Sequence, residues 1–189
     1  MAGEAGLLLL AWALGRWLGI NPGHRVHLTL GALGLGALAA VPLLLGLRWI
    51  VTTRLGSIRH LVGLVTDELG PVLVSRSIAE LVLIASLAGV AEETLFRGVV
   101  QVGLTRVFPD GVALALASAA FGLAHFVTPA YALLAAAAGL YLGALYMQHG
   151  NLLVPVVAHS LYDLVALLYL IRRYRASQAL PAPSMNREG

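Results

Sequence analysis

Six side chains capable of acid–base or electrostatic chemistry fall in three short runs, each inside an otherwise apolar stretch. The first run, "EETLFR", holds Glu92, Glu93 and Arg97. On a helix Glu93 and Arg97 stand four residues apart and can pair. Glu92 points about 100° away from Glu93 and is left for another partner. The second run, "FGLAH", ends in His125. Taken singly, such a histidine reads as a hydrogen-bonded residue between helices. Its position changes that reading. Glu92 precedes Pro109 by 17 residues and His125 follows it by 16. An antiparallel hairpin turning at Pro109 therefore puts the two at equal depth, roughly 25 Å from the turn. A carboxylate beside an imidazole can activate a water. The third run, "HSLYD", sets His159 and Asp163 four apart on one helical face, as a donor and its orienting group.

Each run also has a purely structural reading. A buried Glu93–Arg97 pair can fix helix packing, and an Asp–His pair can orient two helices. Glu92 resists that explanation, because it is a further carboxylate with no local cation. Ionisable groups at membrane depth are costly and read as functional by default. An activated water needs a base beside it and donors that stabilise the charge developing on its target, and these residue types can supply both. Ser118 and Ser160 lie near the histidines and keep a Ser–His arrangement open. Zinc takes the ligand types that Glu92, His125, His159 and Asp163 offer. There is no H-E-x-x-H, however, and the ligands would come from three separate helices. The preferred reading has no cofactor, with zinc as its alternative. A proton relay would use similar groups, but the inverted repeats or broken helix pairs of transporters are not visible here.

The elements that position these residues are membrane helices. The 189-residue chain is 59% hydrophobic and 11% charged, whereas soluble domains run to roughly 45–50% apolar and about 25% charged. Apolar segments cover about 5–20, 28–50, 73–107, 111–127, 130–148 and 151–171. Residues 52–71 mix Arg54, Arg59, His60, Asp67 and Glu68 with apolar positions and read as an interfacial amphipathic helix. The segment at 73–107 is too long for one upright crossing, because 35 residues span roughly 50 Å against a hydrocarbon core of about 30 Å. It must tilt, protrude or break, with Gly89 as the weak point. The expected fold is an all-α, polytopic transmembrane bundle of about six spanning helices. Its N-terminal stretch reads as a retained first helix, since it lacks a basic leader region.

Charge orients the bundle. Arg48, Arg54, Arg59 and Arg76 lie between the second and third spans, and Arg172, Arg173, Arg175 and Arg187 follow the sixth. The loops expected on the other side hold Arg25 and Arg106. The positive-inside rule then makes both termini cytoplasmic. Basic residues distributed this way mark membrane topology and not a nucleic-acid site. No cysteine is present, which excludes disulfides and thiolate chemistry, and there is no lysine. His24, His27, His60 and His149 fall in loops or interfaces. Glu80, three turns before Glu92, either lines the same face or sits near the surface. Gly139 and Gly143, like Gly15 and Gly19, have the small-residue spacing of close helix contacts.

Together and in this order, "EETLFR", "FGLAH" and "HSLYD" resemble the motifs of the CPBP family, E-E-x-x-x-R, F-x-x-x-H and H-x-x-x-N/D. Gly98 after Arg97 also fits. That family comprises the type II CAAX prenyl endopeptidases, related bacterial Abi proteins and proteins linked to bacteriocin self-immunity. The resemblance covers about 75–170. It implies a helical bundle with a conical cavity reaching into the membrane, and a peptide or prenylated-protein substrate. It implies that Glu92 with His125 activates water and that His159 and Asp163 stabilise the oxyanion. Glu93 and Arg97 fill the remaining motif positions, with Arg97 a candidate receiver of a substrate carboxylate. The resulting division is N-terminal helices and interfacial helix over 1–70, a catalytic core over 71–171 and a cytoplasmic tail over 172–189. The lysine-free chain reads as bacterial, in the inner membrane. The alternative on the same scaffold is an immunity or partner-binding protein that does not turn over.

Overall fold

Helix starts in this chain are set by side chains that satisfy otherwise orphaned backbone N–H groups. In the computed structural model, which describes residues 2–179, Thr29 accepts from Ala32 N–H and opens α2, Leu30–Thr52. Thr128 accepts from Tyr131 N–H and opens α7, Pro129–His149, with proline in its first turn. Ser77 and Glu80 form a reciprocal capping box at the start of α4, Ile78–Glu93, and Arg76 pairs with Glu80 at 3.1 Å. Glu80 is therefore a capping residue at the helix end and takes no part in the polar cluster. Gly150 closes α7 in the left-handed conformation, φ 61°, which costs a glycine little. The remaining helices are α1 (Ala2–Leu18), α3 (Gly56–Leu73), α6 (Asp110–Ala124) and α8 (Leu153–Gln178). Among the described residues there is no strand.

The long third segment breaks, but not at Gly89. Its helix begins only at Ile78, and after Glu93 it widens into a π-helix over Thr94–Gln101, followed by the single turn α5, Val102–Leu104. Gly89 serves packing instead. A side-chain carbon there would strike Ser160 Oγ on α8, so the glycine lets α4 and α8 touch.

The helices pack side by side between two ends of the bundle. At one end Arg106 donates to the carbonyls of Leu18 and Gly19, Leu152 N–H to Arg25, and the Asn151 amide to His27. At the other end Arg175 donates to the Val74 carbonyl, and Gly70 makes room for the Tyr174 ring. Both ends of α3 thus meet the last turns of α8, with Arg59 beside Arg173 and Gly70 against Tyr174. The helix lies across that end and turns Ile58, Leu61, Val62 and Thr66 inward. α2, α7 and α8 are each long and apolar enough to cross a membrane. α6, at 15 residues, covers only about 22 Å and stops short.

Leu30, Leu28 and Trp17 stand 80% or more exposed among many other outward-facing apolar side chains. Apolar surface on this scale is unusual on a soluble monomer and suits lipid. The protein is an integral membrane protein. The stretch after 171 is helical as far as Gln178, because Tyr174 packs on α3; the rest of the expected tail, including Arg187, lies outside the described residues.

Candidate active site

Glu92 and Glu93 close the regular part of α4, immediately before the π-helical turns. π segments inside α-helices occur frequently at functional sites. Here the segment carries a row of buried polar side chains at intervals of four. Arg97 Nη1 donates to Glu93 Oε1 at 3.0 Å, and its Nη2 donates to the Gly139 carbonyl at 2.9 Å. Gln101 repeats the pattern one step on, donating to the Gly143 carbonyl at 3.2 Å. Glycine at 143 is required by this approach, since a side-chain carbon there would come within 2.6 Å of Gln101 Oε1. The guanidinium of Arg97 also lies 4.6 Å above the Phe121 ring, a cation–π placement.

Arg97 is 1% exposed, with one bond from each terminal nitrogen directed to a buried partner. The buried glutamate beside it turns it inward. Glu93, wholly buried, is held in turn from two sides, because His159 Nδ1 donates to the same Oε1 at 2.8 Å. Glu93 and Arg97 are therefore buried, with Glu93 bonded directly to His159.

The other carboxylate faces differently. Glu92 Oε2 stands 3.3 Å from His125 Nε2 and 3.9 Å from His159 Nε2. The His125 distance is that of an ion pair, yet Oε2 makes no aligned hydrogen bond. His125 caps the C-terminus of α6, and its ring Nδ1 lies 2.9 Å from the Phe121 carbonyl. A carbonyl only accepts, so Nδ1 carries a hydrogen and Nε2 is the nitrogen presented to Glu92. His159 Nε2 also faces Asp163 Oδ2 at 3.5 Å. Three helices thus converge on one carboxylate oxygen. Phe121 stands between the two groups, its ring centroid 4.4 Å from that of His125 and 6.0 Å from that of His159.

A cavity of about 550 Å³ opens beside this cluster, toward the arginine-rich end of the bundle. Its walls are apolar, from Leu43 to Val51 of α2, one face of α3, and the facing sides of α7 and α8. Its polar pole is His125, His159 and Asp163, with Tyr131 and Tyr162 nearby. Glu92, 16% exposed, stands against the two histidines of this pole without lining the cavity itself. All six residues singled out in the sequence come together, but only three border the cavity.

The serine arrangement finds no support. Ser118 donates to the Leu114 carbonyl at 2.7 Å, and Ser160 faces Gly89. Among the described residues no group of three His, Cys, Asp or Glu side chains has the geometry to hold a metal ion. The Glu93–His159 link and the role of Gln101 were not evident beforehand. For Gln101 a signal existed, since it continues the four-residue spacing of Glu93 and Arg97.

Residues 74–165 match the family described as type II CAAX prenyl endopeptidase Rce1-like, in agreement with the resemblance carried by the three motifs. No match was found among curated proteins or among solved structures.

Proposed function

We propose that this chain, which over residues 74–165 belongs to the Rce1-like family of type II CAAX prenyl endopeptidases, hydrolyses a peptide bond near the lipid-modified end of a membrane-associated substrate. The observation that carries the reading is the convergence of His125 and His159 on Glu92 Oε2 at the polar pole of an apolar cavity. Such a cavity suits a prenyl or similar chain, and its polar pole suits the peptide bond next to it.

Glu92 is the base in this scheme. A water held between Glu92 and His125 loses a proton to the carboxylate as its oxygen attacks the carbonyl carbon. The His125 Nδ1–H bond to Phe121 fixes the ring so that Nε2 points at that water and at Glu92. His159 meets the developing oxyanion. Glu93 accepts from its Nδ1–H, so Nε2 is the nitrogen turned to the cavity, and in the imidazolium form it donates to the substrate oxygen. Asp163, 3.5 Å from that nitrogen, acts as a positioning residue through His159. The proton taken by Glu92 then passes to the leaving amine.

The test is cleavage of a fluorescent farnesylated CAAX peptide by the purified protein in liposomes, with and without a chelator, beside Glu92→Gln. Chelator-resistant cleavage that is lost in the variant is expected. Cleavage abolished by the chelator and restored by zinc would replace the scheme with a metal-dependent one. Cleavage retained in Glu92→Gln would remove Glu92 as the base.

A further inference from the structure

Seven arginines crowd the end of the bundle where the cavity opens, and three of them share one pocket. Arg54 lies in the α2–α3 connection, Arg59 in the first turn of α3 and Arg173 near the end of α8. They surround a recess of about 230 Å³ together with Thr53 and the apolar residues Ile50, Val51 and Val62. None of the three forms an ion pair or a side-chain hydrogen bond among the described residues. Arg76, by contrast, is paired with Glu80. The N-terminus of α3 opens at the same place, capped by no side chain because Leu55 occupies the cap position. Three unpartnered guanidinium groups beside an open helix N-terminus make an anion site.

What the anion is attached to follows from the walls and the distances. Ile50, Val51 and Val62 line both this recess and the large apolar cavity, so the two spaces adjoin. Arg173 stands 14 residues beyond His159 on α8, about 21 Å along the helix. The carboxylate of a tripeptide leaving group reaches only about 10 Å from the cleaved bond. The recess is thus too far from the histidines to hold a substrate C-terminus. The acyl chain of a bilayer lipid covers about half of the roughly 30 Å hydrocarbon core. That length matches a phosphate held by the arginines with its chain laid along the cavity.

We infer that Arg54, Arg59 and Arg173 form a headgroup site for an anionic phospholipid, one of whose acyl chains enters the apolar cavity toward His125 and His159. A lipid seated there occupies space that a substrate chain would need, so anionic lipid competes with substrate. The arginines lie outside residues 74–165, so the site is independent of the three motifs.

Native mass spectrometry of the full chain released from detergent tests this. Phosphatidylglycerol and phosphatidylcholine of identical acyl chains are titrated separately, with inorganic phosphate and glycerol 3-phosphate as headgroup controls. One phosphatidylglycerol is expected to be retained at least tenfold more tightly than phosphatidylcholine. The preference should vanish in Arg54→Gln/Arg59→Gln/Arg173→Gln and survive in the corresponding triple Lys variant. Equal retention of the two lipids by the unaltered chain overturns the proposal without any variant. So does a preference that persists in the triple Gln variant. Displacement of phosphatidylglycerol by equimolar inorganic phosphate would overturn the part assigned to the acyl chain. Lipid retention is read without turnover, so failure here leaves the peptidase reading standing.

Discussion

Glu92 and Glu93 are consecutive, chemically identical and within the same turn, yet they belong to two different regions. Glu93, with no exposed surface, sits in a buried ring of partners, His159 and Arg97, and through Arg97 the Gly139 carbonyl. Glu92 sits in an open pole, 16% exposed, near two imidazole nitrogens but with no aligned hydrogen bond to either. Each carboxylate keeps an Oε2 without a hydrogen bond, but Glu93 is sealed off whereas Glu92 is partly exposed. Burial and the two partners held at Glu93 Oε1, and not residue type, separate the two carboxylates here. The two regions share His159, which gives one nitrogen to each.

The sharpest way to break this contrast is to exchange stability and activity readouts between the two carboxylates. Glu92→Gln keeps the shape and removes the base, so cleavage should fall by roughly 10²–10⁴-fold. Its thermal midpoint, followed by circular dichroism in detergent, should stay where it is. A large loss of stability would mean that Glu92 belongs to the ring after all.

Arg97→Met should do the reverse. Removing one member of a buried pair leaves the Glu93 charge with His159 as its one remaining partner, which costs up to about 3–5 kcal/mol. The Gly139 carbonyl also loses its donor. Denaturant unfolding should register this first, with activity falling as the folded fraction falls. Because the penalty comes from the stranded charge, Glu93→Leu/Arg97→Met should be less unstable than Arg97→Met alone. A double variant as unstable as the sum of its parts would contradict that origin.

Gly89→Ala probes how the two regions are held together. The added carbon meets Ser160 Oγ, with the Ser160 N–H and the Val156 carbonyl each 3.1 Å away. Backbone on that side cannot yield cheaply, so overpacking should cost about 1–3 kcal/mol. Pushing α8 from α4 also pulls His159 from Glu93, so kcat should drop while KM changes little. An unaltered kcat would show that the α4–α8 contact does not set the position of His159.

These elements differ in how legible they were. Pro109, Thr128 and Gly150 punctuate the chain and gave the hairpin, and equal offsets from Pro109 were enough to oppose Glu92 and His125. That counting works only for helices adjacent in sequence. Glu93 and His159 lie 66 positions apart, and their contact depends on a glycine of α4 admitting a serine of α8, which no periodicity reveals. The π-helical turns were hidden for another reason. A four-residue spacing of Glu93, Arg97 and Gln101 satisfies a regular helix equally well, and the carbonyls of α7 that the π-helical side chains reach lie 42 positions on. Arg172, Arg173 and Arg175 read as a solvated tail because their charge is plain in the sequence, whereas the packing of Tyr174 on Gly70 joins residues about a hundred positions apart.

The smallest expected effect falls on the residue that divides the regions. Phe121 places one face under the Arg97 guanidinium and packs against His125, while Phe96 meets it edge-on at 5.0 Å. Phe121→Leu keeps an apolar side chain and removes the ring. The ring side should lose the cation–π contact, about 0.5–2 kcal/mol, visible as a modest fall in the unfolding midpoint. On the pole side His125 keeps its bond to the backbone carbonyl of residue 121, because that bond does not depend on the side chain. The imidazole loses only its stacking neighbour, so kcat should fall less than tenfold. Phe121→Tyr restores an aromatic face and should recover the stability lost in Phe121→Leu. A loss in kcat as large as that of Glu92→Gln would mean that the two regions work as one unit, and that the division between a buried ring and an open pole does not hold.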